Sequence, residues 1–278
     1  MSGPFITAAE AAALAGRAAF LDARAEPEAS QAFAVAHVRG AVHADLEKDL
    51  SGHGDPVHGG RHPLPPMELW LARLGSWGIA PATPVIIYDA SGGGMAAARA
   101  WWMLRAAGHD RVSVVDGGWE ALCAAGALME RGVGRPSFAG LGPYPSSVRQ
   151  WPAIDAAFVE RVRNDPTWRL IDARAPERYS GDTEPLDPIA GHIPGALNLH
   201  WQSQVGDDGK IDSCARLQTR YADIVGDISP DRVVCYCGSG VTACHLLLTM
   251  EACGLRGAKL YVGSWSEWCR QGRPRADR

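Results

Sequence analysis

Val233-Val-Cys-Tyr-Cys237-Gly-Ser-Gly-Val-Thr-Ala243 runs from a strand signal into a helix signal through a turn built on Gly238 and Gly240. The apolar run Val233 to Tyr236 reads as a buried parallel strand, and Val241 to Cys253, closed by Gly254, reads as a helix. A strand that passes directly into a helix is the unit of an α/β sheet, whose ligands gather at the carboxyl ends of its strands. Cys237 stands at that edge.

Outward from this stretch, the chain repeats itself. Phe20-Leu-Asp-Ala-Arg24 recurs as Leu170-Ile-Asp-Ala-Arg174, His37-Val-Arg-Gly-Ala41 as His192-Ile-Pro-Gly-Ala196, and Val85-Ile-Ile-Tyr-Asp89 as Val233-Val-Cys-Tyr-Cys237. Gly117-Gly-Trp119 recurs as Gly263-Ser-Trp265. The order is kept and the spacing nearly so, which is the signature of a duplicated domain. Further strands are expected at Val85 to Tyr88, Val112 to Val115 and Arg169 to Ile171, with helices after Thr7-Ala-Ala-Glu10, which has capping-box form, and from Met95 to Ala107. The expected fold is α/β: two tandem domains, each a mostly parallel sheet flanked by helices. Their boundaries are read as 1–132 and 149–278, joined by a Gly/Pro/Ser-rich linker at 133–148.

A chain of 278 residues with 46% hydrophobic and 21% charged residues suits two globular domains. A net charge of −4 and a scarcity of Lys give phosphate-backbone binding no electrostatic support, so no nucleic-acid partner is expected. No secretory signal pattern opens the sequence and no apolar run reaches membrane-spanning length, so a soluble, cytoplasmic protein without a membrane partner is expected. Seven cysteines at irregular spacings argue against a disulfide framework. Cys235-x-Cys237 is too tight for the usual zinc pair, and neither a metal nor an organic cofactor is expected.

The glycines around Cys237 let backbone N–H groups turn inward as an anion-binding nest, and the helix N-terminus adds partial positive charge. Both favour a thiolate, and the same cradle suits a persulfide. Taken alone, a cysteine at a strand end is more often core filler. The repeat argues otherwise, because the first half carries Asp89 at the equivalent place, in Asp89-Ala-Ser-Gly-Gly-Gly94, and an Asp cannot accept a sulfane sulfur. The first domain is therefore expected to be catalytically inactive.

The paired domains, the Asp-x-Arg of each half, Gly-His-Ile-Pro-Gly-Ala at 191–196, Cys237-Gly-Ser-Gly-Val-Thr-Ala243 and Gly263-Ser-Trp-Ser-Glu-Trp268 together resemble the tandem rhodanese family of sulfurtransferases. The resemblance covers nearly the whole chain. Members using thiosulfate carry Arg and Lys after the nucleophile, whereas those using 3-mercaptopyruvate carry Gly and Ser, as here in Gly238 and Ser239. Sulfite leaves as a dianion that fixed cations stabilise, while a pyruvate enolate needs a proton, which a hydroxyl linked to a proton source can deliver.

The resemblance implies Cys237 as nucleophile, with Ser239, His62 and Asp45 as a proton relay, the last two in the first domain. His62 otherwise reads as a loop histidine, and Asp45 as a turn or cap residue. Arg178 matches the family arginine that clamps the substrate carboxylate, a task for a planar bidentate donor. Gly238, Gly240, Val241 and Thr242 complete the expected binding loop, with Ser264 and Trp265 lining the cleft. The family's second carboxylate-binding arginine has no match, since Asp187 and Pro188 stand there. Arg24 and Arg174 are expected in internal ion pairs, because the inactive half retains the feature.

The implied partners are a small-molecule sulfur donor and an acceptor such as cyanide, a small thiol or a thioredoxin-like protein. A thiosulfate:cyanide sulfurtransferase and a non-enzymatic persulfide carrier are the alternatives. A Cys-dependent phosphatase on this fold is disfavoured, because it needs an Arg where Ala243 stands.

Overall fold

The computed structural model describes residues 3–277. They form two compact units that do not follow the halves of the sequence throughout. The first unit comprises residues up to Gly52 with Pro65–Trp151 and Asp207–Ile211; the second comprises His53–Leu64, Pro152–Gly206 and Asp212 onward. The segment carrying His62, expected in the first domain, packs as part of the second unit.

In the first unit, strands β1 (Phe5–Ile6), β2 (Ala19–Asp22), β4 (Ala41–His43), β5 (Val85–Tyr88) and β6 (Val112–Val115) make a parallel sheet in the order β1-β6-β5-β2-β4. Strands β3 (His37–Val38) and β7 (Met129–Glu130) pair antiparallel beside it. In the second unit, β8 (Arg169–Asp172), β9 (Ala196–Asn198), β10 (Val233–Tyr236) and β11 (Lys259–Leu260) are parallel in the order β11-β10-β8-β9. A parallel bridge from Ile154 to Tyr261 takes the place that β1 has in the first sheet. The two sheets thus share one strand order.

The strands form where the sequence offers short uninterrupted apolar runs, and β2, β5, β6 and β10 are buried along their whole length. Helices cover them, among them Ala96–Ala106 in the first unit and Ala243–Ala252 in the second. Thr7 and Glu10 make the reciprocal capping box expected of them. The 133–148 segment lies along the first unit, with Leu141 N–H donating to Gly75 O at 2.8 Å and Tyr144 N–H to Leu71 O at 2.9 Å.

The duplication extends to individual side chains. Tyr88 Oη accepts from Val38 N–H at 3.1 Å, and Tyr236 Oη accepts from Ile193 N–H at 3.2 Å. His37 stacks on Phe33 with ring centroids 3.9 Å apart, and His192 stacks on Tyr179 at 3.8 Å. Both histidines therefore serve the fold. Arg24 grips Asp22 at 2.6 Å and donates to Ala36 O, while Arg174 grips Asp172 at 2.6 Å and donates to Gly191 O. These are the internal ion pairs that the sequence suggested.

Removing one partner of a buried pair strands the other charge, which costs far more than losing an exposed pair. Arg174→Ala should lower unfolding free energy by about 3–5 kcal/mol, whereas Arg105→Ala, which loses the exposed Asp110, should cost under about 1 kcal/mol. Equal losses in urea titrations of the two variants would refute the structural weight given to the buried pair.

Candidate functional site

Cys237 follows β10 at the carboxyl edge of the second sheet, and its residue is only 2% exposed. The loop from Gly238 to Thr242 turns back toward it before the Ala243–Ala252 helix begins. Gly240 N–H donates to Cys237 Sγ at 3.2 Å, so the turn does aim a backbone dipole at the sulfur. Gly240 has φ +74°, and a Cβ there would lie 2.5 Å from Val262 O. Only glycine fits without displacing the loop.

The Gly263-Ser-Trp stretch braces this turn. Ser264 Oγ accepts from Cys237 N–H at 3.1 Å and donates to Tyr261 O at 2.9 Å. Trp265 N–H donates to Cys237 O and Ser266 N–H to Gly238 O, at 3.0 and 2.9 Å. Ser264 holds a left-handed φ of +54°, an unfavourable conformation for a residue with a side chain, maintained by these bonds. Trp265 is buried, its indole N–H donating to Ile189 O at 2.8 Å, and it belongs to the core with Tyr236, Tyr261 and Trp268. Its place is underneath the loop, as a support.

The 53–64 segment completes the constellation from within the same unit. Gly59 N–H donates to Glu267 Oε1 at 2.9 Å and Arg61 N–H to Ser266 Oγ at 3.1 Å. Gly60, at φ +76°, approaches so closely that a Cβ would stand 2.4 Å from Gly263 O. This docking brings His62 Nδ1 to 2.7 Å from the Oγ of Ser239, on the loop that holds Cys237.

Two guanidinium groups reach the same loop. A Cβ on Gly238 would stand 3.1 Å from Arg61 Nη2 and 3.4 Å from each terminal nitrogen of Arg178. Arg178 is anchored to Glu184 through Nη2 at 2.7 Å. Arg61 is anchored through Nη1 to Asp187, which also takes Arg270 at 2.7 Å. Burial alone would raise the Asp187 carboxyl, but hydrogen bonds from Arg61 and Arg270 outweigh it and hold the group below the usual carboxylate range.

Of the residues singled out in the sequence, Cys237, Gly238, Ser239, Gly240, Val241, Thr242, His62 and Arg178 all lie in the second unit. Asp45 lies in the first. Its Oδ1 accepts from Glu47 and Lys48 N–H at 2.9 and 3.2 Å, and Lys48 Nζ sits 3.1 Å from Oδ2, which is the turn-capping arrangement. Arg61 and Asp187 were not read as a pair in the sequence, although Arg61 adjoins His62.

The first unit shows what its matching turn accommodates. Asp89 is 1% exposed, and its carboxylate accepts from Ser91, Gly93, Met95 and Ala97 N–H at 2.7 to 3.2 Å. Burial raises its pKa, against the lowering effect of those bonds. The turn is thus an anion nest filled by the protein's own carboxylate. Elsewhere, Cys235 is sealed in the sheet and burial pushes its thiol far up, as expected of core filler.

A family model described as a rhodanese-like domain matches residues 7–125 and again 155–271. Over 236 residues, 84% of this chain and 81% of the relative, the sequence is 42% identical to a probable 3-mercaptopyruvate sulfurtransferase of Pseudomonas aeruginosa. It is 38% identical over 244 residues to a putative thiosulfate sulfurtransferase of Mycobacterium tuberculosis, covering 87% of this chain and 84% of that one. A solved 3-mercaptopyruvate sulfurtransferase from Leishmania major superposes with a TM-score of 0.85 at 31% identity, over 98% of this chain and 75% of that one.

Since Ala at a left-handed glycine position destabilises by more than about 1 kcal/mol, Gly240→Ala should lower the unfolding midpoint and slow alkylation of Cys237 by iodoacetamide. Gly54→Ala, where a Cβ meets nothing within 4 Å, serves as the comparison. Indistinguishable melting curves and alkylation rates for the two would contradict the steric account of the loop.

Proposed function

This chain belongs to the rhodanese family of sulfurtransferases, and on that premise we propose that it takes sulfur from 3-mercaptopyruvate and stores it as a persulfide on Cys237. The observation that carries this reading is the Gly240 N–H on Sγ, on a turn at the carboxyl edge of the second sheet whose Ser239 is hydrogen-bonded to His62 of the 53–64 segment. The relatives named as 3-mercaptopyruvate sulfurtransferases support the donor.

The reaction has two half-steps. Cys237 thiolate attacks the thiol sulfur of the donor, forming an S–S bond as the C–S bond breaks. The C–S electron pair leaves with pyruvate as its enolate, which takes a proton delivered at Ser239 Oγ and replenished through His62. An acceptor thiol or cyanide then attacks the outer sulfur, and Cys237 departs as thiolate. The two half-steps make the kinetics ping-pong.

Arg178, anchored by Glu184, binds the donor carboxylate in this scheme, and Gly238, Val241 and Thr242 shape the loop around it. Asp45 has a share in the relay only by resemblance, since its carboxylate is engaged by Lys48 and its own turn. The first domain, with its nest filled by Asp89, carries no sulfur. A second reading, thiosulfate as donor, draws on the Mycobacterium tuberculosis relative and on the guanidinium charge beside Gly238. A cytoplasmic setting fits both; among the described residues no helix is long and apolar enough to cross a membrane.

Intact mass after incubation with 3-mercaptopyruvate should rise by one sulfur atom in the wild type and stay unchanged in Cys237→Ser. A sulfur retained by Cys237→Ser would move the nucleophile elsewhere. His62→Gln and Ser239→Ala should each slow the first half-step by about 10²–10⁴-fold. Because they act as one relay, the double variant should lose little more than either alone. Multiplied losses in single-turnover kinetics would show that the two residues act separately.

A further inference from the structure

In the second unit the helix Cys214–Val225 packs along the helix Ala243–Ala252 through one face, on which Cys214, Gln218 and Tyr221 follow at helical spacing. Tyr221 Oη is 2.6 Å from Thr249 Oγ1 and donates to Leu246 O at 3.1 Å, while Gln218 Nε2 donates to Cys253 O at 3.2 Å. At the end of this seam two thiols meet. Cys214 Sγ donates to Ala252 O at 3.5 Å, and Cys253 Sγ donates to Cys214 O at 3.9 Å. Each sulfur thus reaches the backbone at or next to the other cysteine.

The two thiols differ in access. Cys214 is exposed, whereas Cys253 is 8% exposed. Burial first, and then the adjoining Cys214 sulfur, push the Cys253 thiol up to about 12, so it stays protonated at neutral pH. Neither side chain belongs to the site around Cys237: between Cys253 and that turn runs the ten-residue helix Ala243–Ala252, a rise of about 15 Å. Cys123, the other exposed cysteine among the described residues, lies in the first unit.

We propose that Cys214 and Cys253 form an oxidisable dithiol, a modification site at which a hydroperoxide closes a disulfide between the start of one helix and the end of the helix that follows the Cys237 turn. The Cys214 sulfur attacks one oxygen of the peroxide; an S–O bond forms, the O–O bond breaks, and with hydrogen peroxide a water leaves. The Cys253 sulfur then attacks the sulfenic sulfur of Cys214. The S–S bond forms as the S–O bond breaks, and the departing hydroxide takes the Cys253 proton as a second water. The two thiols lose two electrons, which the peroxide gains. The seam holds both side chains together before oxidation, which is the condition for a bridge to close. The site does not depend on which donor Cys237 uses.

Wild-type protein treated with hydrogen peroxide and digested without reduction should yield the Cys214 peptide joined to the Cys253 peptide, the pair lighter by two hydrogen atoms and split by dithiothreitol. In Cys253→Ser the first step has no second, so dimedone should label Cys214. Cys214→Ser, changed at an exposed position, should give no linked peptide and little label at Cys253, and it decides the matter if Cys253→Ser does not fold. The oxidised wild type should also unfold at a higher temperature than the reduced protein, a gain absent from Cys214→Ser treated alike. Cys214 and Cys253 oxidised separately, or Cys214 joined to Cys123, would overturn the proposal. So would both thiols left intact at a peroxide concentration that oxidises Cys237.

Discussion

The buried contact between Arg174 and Asp172 sets the conditions for everything above it in the second unit. Both side chains are sealed at the end of β8, and a charge in that position must be matched locally because water cannot reach it. Arg174 answers Asp172, then extends to Glu184 at 3.2 Å and to Gly191 O at 2.7 Å. Glu184 in turn holds Arg178. Each charge is answered by the next, and the series climbs from the sheet to the turn that carries Cys237. Glu184, on the loop from 181 to 191, thus ties Arg178 to the buried Arg174.

The first unit keeps the lower half of this arrangement and lacks the upper half. Arg24 pairs with Asp22 and lies over Trp119, as Arg174 pairs with Asp172 and lies over Trp265. The turn after β5, however, encloses the carboxylate of Asp89 where the turn after β10 encloses a sulfur. Both turns offer backbone N–H groups to a negatively charged or polarisable atom, which is why the fold survives either residue. In the first, the occupant is a carboxyl group attached to the chain itself. In the second, the cradle is left for chemistry.

What the sequence made legible is what local rules govern. Strands at Val85–Tyr88, Val112–Val115 and Val233–Tyr236 stand where unbroken apolar runs lie, and the Arg169 strand extends one residue past its expected end to Asp172. The helix after Cys237 begins at Ala243 and not at Val241, because the backbone is still turning at Gly240 with φ +74°. The sequence brought Cys237, Ser239 and Arg178 into view through the repeat and the family resemblance. It could not show that residues 53–64 pack with the second unit, since that depends on Gly60 meeting Gly263 across a long separation in sequence. Arg61 was invisible for the same reason: an arginine in a loop reads as a surface residue until its buried partner is known.

Asp187 and Glu184 hold two guanidinium groups beside Gly238, from outside its own turn. A side chain on Gly238 would run into those groups, since its Cβ would stand 3.1 Å from Arg61 Nη2 and 3.4 Å from each terminal nitrogen of Arg178. Supplying the cations from outside, on arms fixed by Glu184 and Asp187, leaves the turn free to carry the hydroxyl of Ser239 against His62. Glu184 beside Arg178 and Asp187 beside Arg61 also offset the repulsion between the two like charges.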